Sequence, residues 1–155
     1  MNHIHYFVHG AGGHGCNQPL TPEGIEQTEK QRGYLLLHFL MIAGVIPSVT
    51  HGIGECERQM IRLLGLESHP LLPVYIVGDG YHKPIDQGMA GKFVHTLRDN
   101  TVILGNKHFL TSLIGIRNIE LGTIWQIIHN GPGSSFGFID LSPGFIPQPI
   151  PQKPD

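Results

Sequence analysis

The stretch from residue 3 to residue 24, HIHYFVHGAGGHGCNQPLTPEG, constrains this chain more than any other part of its sequence. Alternating residues predict a strand over residues 3–9, and glycines at positions 10, 12, 13 and 15 then turn it into a loop. Thr21 and Pro22 follow as a predicted helix N-cap and first helical residue. A strand that ends in a glycine loop beside a helix N-terminus favours an anion site, because free backbone N–H groups point at the ligand.

Composition excludes several classes of protein. The 155 residues suffice for one domain with a core, and the net charge is −2. There is no basic run or basic, aromatic-rich stripe, so we expect no nucleic-acid partner. The longest apolar run, residues 34–45, is interrupted by His38 and too short to cross a bilayer, so we expect no membrane partner. With no secretory signal and only Cys16 and Cys56, a cytoplasmic protein is expected.

Strand-like and helical segments alternate along the chain, which predicts an α/β fold with a mainly parallel sheet and helices on both of its faces. Strands are expected at residues 3–9, 48–51, 71–77 and 101–105, and helices at residues 22–43, 56–64, 89–97 and 107–117. The turn at residues 130–133 predicts a C-terminal antiparallel hairpin of residues 123–129 and 134–141. We expect one domain over residues 1–145 and a proline-rich tail over residues 146–155.

The ends of two predicted strands suggest where a ligand binds. Ligands of parallel sheets bind at the carboxyl ends of the strands. The first strand ends at His9, and the strand at residues 101–105 is followed by Asn106. We therefore predict that His9 and Asn106 belong to one site.

The glycine loop fits two other patterns only in part. Residues 10–15 satisfy the G-x-G-x-x-G of dinucleotide-binding proteins, but prolines delay the helix and Glu29 ends no second strand. Residues 8–13 are similar to the oxyanion loop of α/β-hydrolases, but the chain contains no G-x-S-x-G elbow. Metal binding by His3, His5, His9 and His14 is a further alternative, for which no acidic or cysteine residue has ligand spacing.

The residues around the first helix start resemble the histidine phosphatase (phosphoglycerate-mutase-like) superfamily. Its members open with a strand followed by Arg-His-Gly and continue to Leu-Thr-x-x-Gly-x-x-Gln. Here His9-Gly10 follows the strand, and Leu20-Thr21-x-x-Gly24-x-x-Gln27 matches the second motif in type and spacing. Weaker similarities continue at Gln59, at residues 101–113 and at residues 121–125. The length is closest to that of the small bacterial phosphohistidine phosphatases of the superfamily.

The resemblance implies that His9 attacks a phosphoryl group and becomes a phosphohistidine, which water then hydrolyses. In the family, two arginines and a second histidine hold the phosphate and neutralise the charge that develops during transfer. None of these three groups is matched, because Val8 and Cys56 stand at the arginine positions and Asn106 at that of the second histidine. Arg58 and Lys107 are the nearest substitute cations.

We therefore predict a phosphate or phosphoester pocket centred on His9 and lined by Gly10, Arg58, Asn106 and Lys107, with hydrolysis lost or weak. Loss of one preorganised donor costs roughly 10²–10³ in rate, so three losses bring turnover near background. The expected ligand is a phosphate-containing small molecule or a phosphoprotein, with no cofactor and no metal. Two alternatives stay open: an active phosphomonoester or phosphohistidine phosphatase that uses substitute cations, and a non-catalytic binding or scaffolding module. Either is compatible with a homodimer formed through apolar helix faces.

The start of the second predicted helix carries three residues with local interpretations. Cys56 is either a reactive thiol with a lowered pKa or a buried structural one. Glu55 and Glu57 are expected to complement the helix dipole.

Overall fold

The computed structural model describes residues 1–12, 18–38, 41–49, 52–80 and 83–144. Its strands are β1 (Asn2–Val8), β2 (Gly44–Ile46), β3 (Thr101–Gly105), β4 (Ile124–His129) and β5 (Gly137–Asp140). Its α-helices are α1 (Pro22–His38), α2 (Glu55–Leu63), α3 (Gln87–His95) and α4 (Lys107–Ile114). The predicted tail at residues 146–155 lies outside the described residues.

The strands form one sheet in the order β2-β3-β1-β4-β5, which places β1 at its centre. β2, β3 and β1 are parallel to one another, and β4 pairs antiparallel with both β1 and β5. The predicted α/β class is confirmed, and so are the parallel core and the C-terminal antiparallel hairpin. In the part of the chain that the structure describes, no helix is both long and apolar enough to cross a membrane.

Side chains alternate along β1, so each face of the sheet has its own hydrophobic core. Ile4, Tyr6 and Val8 pack with residues of α3 and α4 on one face. Phe7 packs with residues of α1 and α2 on the other. Helices therefore cover both faces, as predicted. The same alternation directs His9, two residues after Phe7, towards α1 and α2.

The position of the second strand was predicted wrongly. Residues 48–51 were expected to form it, but the strand is β2, at residues 44–46, and residues 50 and 51 lie outside the described ranges. β2 is fully buried and pairs with β3, and Pro47 directly after it has no N–H to donate to the ladder. The strand forms at residues 44–46 because these residues are buried between neighbouring elements. No local sequence pattern reveals that burial.

The predicted strand at residues 71–77 is also wrong. The segment forms a single bridge, between Leu71 and Val45, and its further backbone N–H bonds lead from Leu72, Tyr75 and Val77 to the segment that begins in β2. Pro73 interrupts the ladder because it has no N–H. The segment is therefore an irregular edge beside β2.

The helices α1 and α4 end at least three residues earlier than predicted. Residues 41–43 are not helical, and residues 39 and 40 lie outside the described ranges, so α1 is described only as far as His38. α4 ends at Ile114, because Gly115 adopts the left-handed conformation with φ 78° and its N–H bonds to the Thr111 carbonyl. The starts at Pro22 and Lys107 agree with the prediction.

Candidate functional site

His9 directly follows the central strand and is held there by the backbone of two neighbours. Its N–H donates to the Gly105 carbonyl at 2.9 Å, and its carbonyl accepts from the Gly122 N–H at 3.1 Å. Val8 pairs with Gly105 in the register of β1 and β3, so the residues after both strands, His9 and Asn106, lie at the same edge of the sheet. The predicted meeting of these two strand ends is confirmed.

The Leu-Thr-x-x-Gly-x-x-Gln motif holds the backbone that follows His9. The Ala11 N–H donates to Oε1 of Gln27 at 2.8 Å, and the Thr21 hydroxyl donates to the Ala11 carbonyl at 3.1 Å. The same hydroxyl accepts from the Gly24 N–H at 3.1 Å, which confirms Thr21 as the helix cap. A Cβ on Gly24 would lie 1.9 Å from the Ala11 oxygen, so this approach requires glycine. The motif thus holds the loop at Ala11 through Thr21, Gly24 and Gln27.

Two further glutamines brace the same region from the helices. Oε1 of Gln59 on α2 accepts from the Leu20 N–H at 2.6 Å. The buried Gln31 of α1 donates from Nε2 to the carbonyls of Val8, at 2.9 Å, and Thr123, at 3.0 Å. The end of β1 is therefore tied to α1, and the segment before α1 is tied to α2.

Glu57 is the group of α2 that faces His9. Its Oε2 lies 3.4 Å from Nε2 of His9, with 1% of the Glu57 side chain and 12% of the His9 side chain exposed. Its Oε1 accepts from the Gly54 N–H at 2.7 Å, before the first turn of α2. The sequence interpretation of Glu57 as a dipole partner is therefore incomplete, since a buried carboxylate stands beside the central histidine. The one available signal is its place next to Cys56, which stands at the position of the second arginine in the family that the chain resembles.

Cys56 completes a cluster around His9. The Sγ atom, a nitrogen of His9 and a carboxylate oxygen of Glu57 all lie within 4.8 Å of one another. Burial, and then the negative charge of Glu57, raise the pKa of the Cys56 thiol to about 12. The thiol therefore carries its proton at neutral pH, which favours a structural role over a reactive thiolate. Spacing along the sequence does not reveal this cluster, because His9 follows β1 whereas Cys56 and Glu57 belong to α2.

The fold is similar to that of solved phosphatases. A protein histidine phosphatase, SixA, solved with tungstate, has a TM-score of 0.71 and 14% identity, over 92% of this chain and 97% of that chain. A protein of Nakamurella multipartitia proposed to be a SixA phosphohistidine phosphatase has a TM-score of 0.61 and 16% identity, over 88% and 93%. A mutant phosphoserine phosphatase of Entamoeba histolytica, solved with phosphoserine, has a TM-score of 0.57 and 13% identity, over 95% and 100%.

The chain has the histidine phosphatase fold. No protein-family model and no curated protein sequence matches it. The likeness therefore lies in the three-dimensional arrangement, with sequence identity of 16% or less to these structures.

Within this fold, the position before His9 is filled by an apolar side chain. Val8, which stands where the family has its first arginine, is fully buried on the face of α3 and α4. Cys56 occupies the second arginine position and lies in the cluster with His9. Neither position therefore supplies a cation next to His9.

Asn106, at the second histidine position, has both ends of its side-chain amide engaged. Its Oδ1 accepts from the Phe109 N–H at 3.0 Å as the N-cap of α4, and its Nδ2 donates to the Asp79 carbonyl at 3.0 Å. The Tyr6 hydroxyl donates to the Asn106 carbonyl at 2.7 Å. Asn106 therefore acts mainly as a helix cap at this edge of the sheet.

The other predicted pocket residues differ in their placement. Gly10 is buried against Gly24, Arg58 is exposed on α2, and Lys107 is half-buried at the first position of α4. Within the described ranges, neither Arg58 nor Lys107 forms an ion pair. Lys107 directly follows Asn106 at the end of β3, whereas Arg58 follows Glu57 on α2. His14 and Cys16 belong to residues 13–17, which lie outside the described part of the chain.

Proposed function

We propose that this chain is a histidine-phosphatase-like domain whose pocket at His9 receives a phosphate or phosphoester and hydrolyses it weakly or not at all. The observation that carries the proposal is a contrast within one site. The motif contacts that position the backbone after His9 are all present, whereas Val8 and Cys56 stand where the family has arginines.

The location of the pocket supports a phosphate-bearing ligand. Two structures of similar fold were solved with tungstate and with phosphoserine, so proteins of this fold hold tetrahedral oxyanions and phosphoesters. In this chain His9 and Asn106 follow neighbouring parallel strands, the place where ligands of such sheets bind. Lys107 and the N-terminus of α4 add positive charge beside them.

The charge of the pocket supports weak or lost hydrolysis. Phosphoryl transfer depends on cations that neutralise the oxygens of the transferred group. Here the nearest described charged partner of His9 is the Glu57 carboxylate, at 3.4 Å. A unit negative charge about 5 Å from another costs about 3 kcal/mol at an effective dielectric constant of about 20. Glu57 therefore opposes the binding of a phosphate dianion at the position where the family attracts it.

The same carboxylate disfavours attack by His9. A negative oxygen beside Nε2 favours a proton on that nitrogen. A protonated ring nitrogen has no lone pair with which to attack phosphorus. His9 in this setting acts as a hydrogen-bond donor to a ligand oxygen rather than as a nucleophile.

The test combines turnover of an aryl phosphate with calorimetric titration of inorganic phosphate, on the wild type and on His9→Ala. We expect turnover near background in both proteins, and weak phosphate binding that His9→Ala reduces by roughly tenfold, the factor that corresponds to one hydrogen bond to a charged group. His38→Ala is the matched control. It lies at the other end of α1, about 24 Å along the helix from Pro22, and should change neither quantity.

Each other outcome rejects part of the proposal. Robust turnover that disappears in His9→Ala would show an active phosphatase with substitute cations. Absence of both turnover and phosphate binding would leave the non-catalytic scaffold. Binding that persists unchanged in His9→Ala would place the phosphate elsewhere.

A further inference from the structure

We propose that His9, Cys56 and Glu57 form a binding site for one zinc ion. The ring nitrogen, the thiol sulfur and the carboxylate oxygen of these residues lie within 4.8 Å of one another. Zinc binding by these three residues does not require that the proposed pocket also binds phosphate.

The distances suit a tetrahedral ion. Zinc bonds of about 2.0–2.2 Å to nitrogen and oxygen, at a tetrahedral angle, separate those two ligand atoms by about 3.4 Å. Nε2 of His9 and Oε2 of Glu57 are 3.4 Å apart. With a zinc–sulfur bond of about 2.3 Å, Sγ would lie about 3.6 Å from either atom. Sγ of Cys56 already lies within 4.8 Å of both of these atoms, so a shift of this sulfur by about 1 Å would complete a tetrahedral arrangement.

The donor set selects the metal. When zinc binds, the Cys56 thiol releases its proton to solvent, and the resulting thiolate, an imidazole and a carboxylate together match the ligands of zinc, whereas magnesium and calcium prefer oxygen alone. Three protein ligands leave a fourth tetrahedral position open for water or a ligand. The two negative ligands balance the double positive charge of the ion, so the complex is neutral and suits a site in which Glu57 is buried.

Backbone hydrogen bonds and the first turn of α2 hold these ligands in place. His9 is fixed by backbone bonds to Gly105 and Gly122 at the end of the central strand. Cys56 and Glu57 are consecutive in the first turn of α2, and the Gly54 N–H orients the Glu57 carboxylate through its other oxygen. Such support of a ligand by a second hydrogen bond is typical of protein metal sites.

A bound zinc ion would change the chemistry of the pocket. It would occupy Nε2 of His9 and so remove that nitrogen as a nucleophile. It would also place positive charge beside Cys56, at the position where the family has an arginine. The open coordination position would then accept a phosphate oxygen or a water molecule.

The experiment titrates metal-free protein, prepared with a chelator, with cobalt(II) as a spectroscopic substitute for zinc. We expect one equivalent to bind with a thiolate-to-cobalt charge-transfer band, and zinc to displace it. Cys56→Ser should abolish the band, whereas Cys16→Ser, which removes the other cysteine of the chain, should keep it. His9→Gln and Glu57→Gln should weaken zinc binding by roughly a hundredfold or more, above the 10–100-fold typical of outer-sphere changes.

Two controls separate ligand loss from unfolding. Glu55→Gln removes the neighbouring acid of α2, and its zinc affinity should equal that of the wild type. Glu57→Gln retains an oxygen that accepts from the Gly54 N–H, so its metal-free circular dichroism and melting temperature should stay close to those of the wild type. Failure of the wild type to bind cobalt or zinc, a band that survives in Cys56→Ser, a band lost in Cys16→Ser, or an unchanged affinity in Glu57→Gln would each overturn the proposal. None of these readings depends on phosphate.

Discussion

Nε2 of His9 and Oε2 of Glu57 lie 3.4 Å apart, at the junction of the central strand and the first turn of α2. The family motif predicts the position of His9, whereas no sequence motif indicates Glu57. This contact puts a buried acid where the histidine phosphatases that the chain resembles supply positive charge.

Restoring an arginine at the position of Cys56 should raise the affinity for inorganic phosphate. Cys56→Arg places a guanidinium beside Glu57 and His9, where it offsets the carboxylate and donates to a phosphate oxygen. A hydrogen bond to a charged group contributes about 1.5–3 kcal/mol, which is about 10–100-fold in affinity. Calorimetric titration measures the change, and Cys56→Met, which adds bulk without charge, should show no gain. An equal gain in both variants would contradict the electrostatic explanation.

Adding one methyl group to Gly24 should destabilise the fold. Its Cβ would meet the Ala11 carbonyl oxygen at 1.9 Å and the rest of that backbone within 3 Å, so the loop after His9 must move. We expect Gly24→Ala to lower the free energy of unfolding by about 1–3 kcal/mol or more in urea denaturation. Gly33→Ala is the matched control on the same helix, because nothing lies within 4 Å of its Cβ. It should be neutral or stabilise by up to about 1 kcal/mol.

Removal of the Gln31 amide should weaken the attachment of α1 to the sheet. Gln31→Leu leaves the carbonyls of Val8 and Thr123 without the two hydrogen bonds that Nε2 donates, in a buried position. We expect a loss of about 1–3 kcal/mol in the free energy of unfolding. Lys30→Leu, an exposed neighbour whose one ion pair spans 4.0 Å, should change stability by no more than about 0.5 kcal/mol. Equal effects in the two variants would show that the hydrogen bonds donated by Gln31 do not stabilise the end of β1.

The stability of the fold should fall as the pH drops below about 6.5, the unperturbed value for histidine. Burial lowers the pKa of His5 and His129 in the folded protein, and His3 and His95 respectively lower it further through repulsion. The unfolded chain then binds protons that the folded chain does not, so the free energy of unfolding decreases from the unfolded pKa downward until the folded values are reached. Urea denaturation at about pH 7 and pH 5 measures the difference.

His129→Gln separates this effect from general acid unfolding. The ring of His129 bonds the Leu97 carbonyl through Nε2 and accepts from the Gly131 N–H through Nδ1, so protonation at Nδ1 breaks the second bond. The variant should therefore lose less stability between the two pH values than the wild type loses. His38→Gln, at an exposed position, should retain the wild-type pH dependence. A steeper dependence in His129→Gln would rule out this residue as a source of the acid sensitivity.

Local signals predicted the elements that position the site. The compact apolar run of residues 101–105 gave β3 with the correct bounds, and Thr21 with Pro22 gave the start of α1. Each depends on residues close together in the chain, where propensity and capping act directly. The parallel pairing of β1 with β3 follows from such elements and brought His9 and Asn106 together as expected.

The sequence by itself determined the histidine at the end of the central strand and the motif that holds the loop after it. The tertiary structure alone decided what faces that histidine. Val8 packs into the core on one face of the sheet, while α2 presents Glu57 and Cys56 on the other. These contacts join residues that are distant in the chain, and they result from the burial of whole helices against the sheet. Helical periodicity shows that a helix has an apolar face, but only its packing against the sheet fixes which polar residue beside that face meets His9.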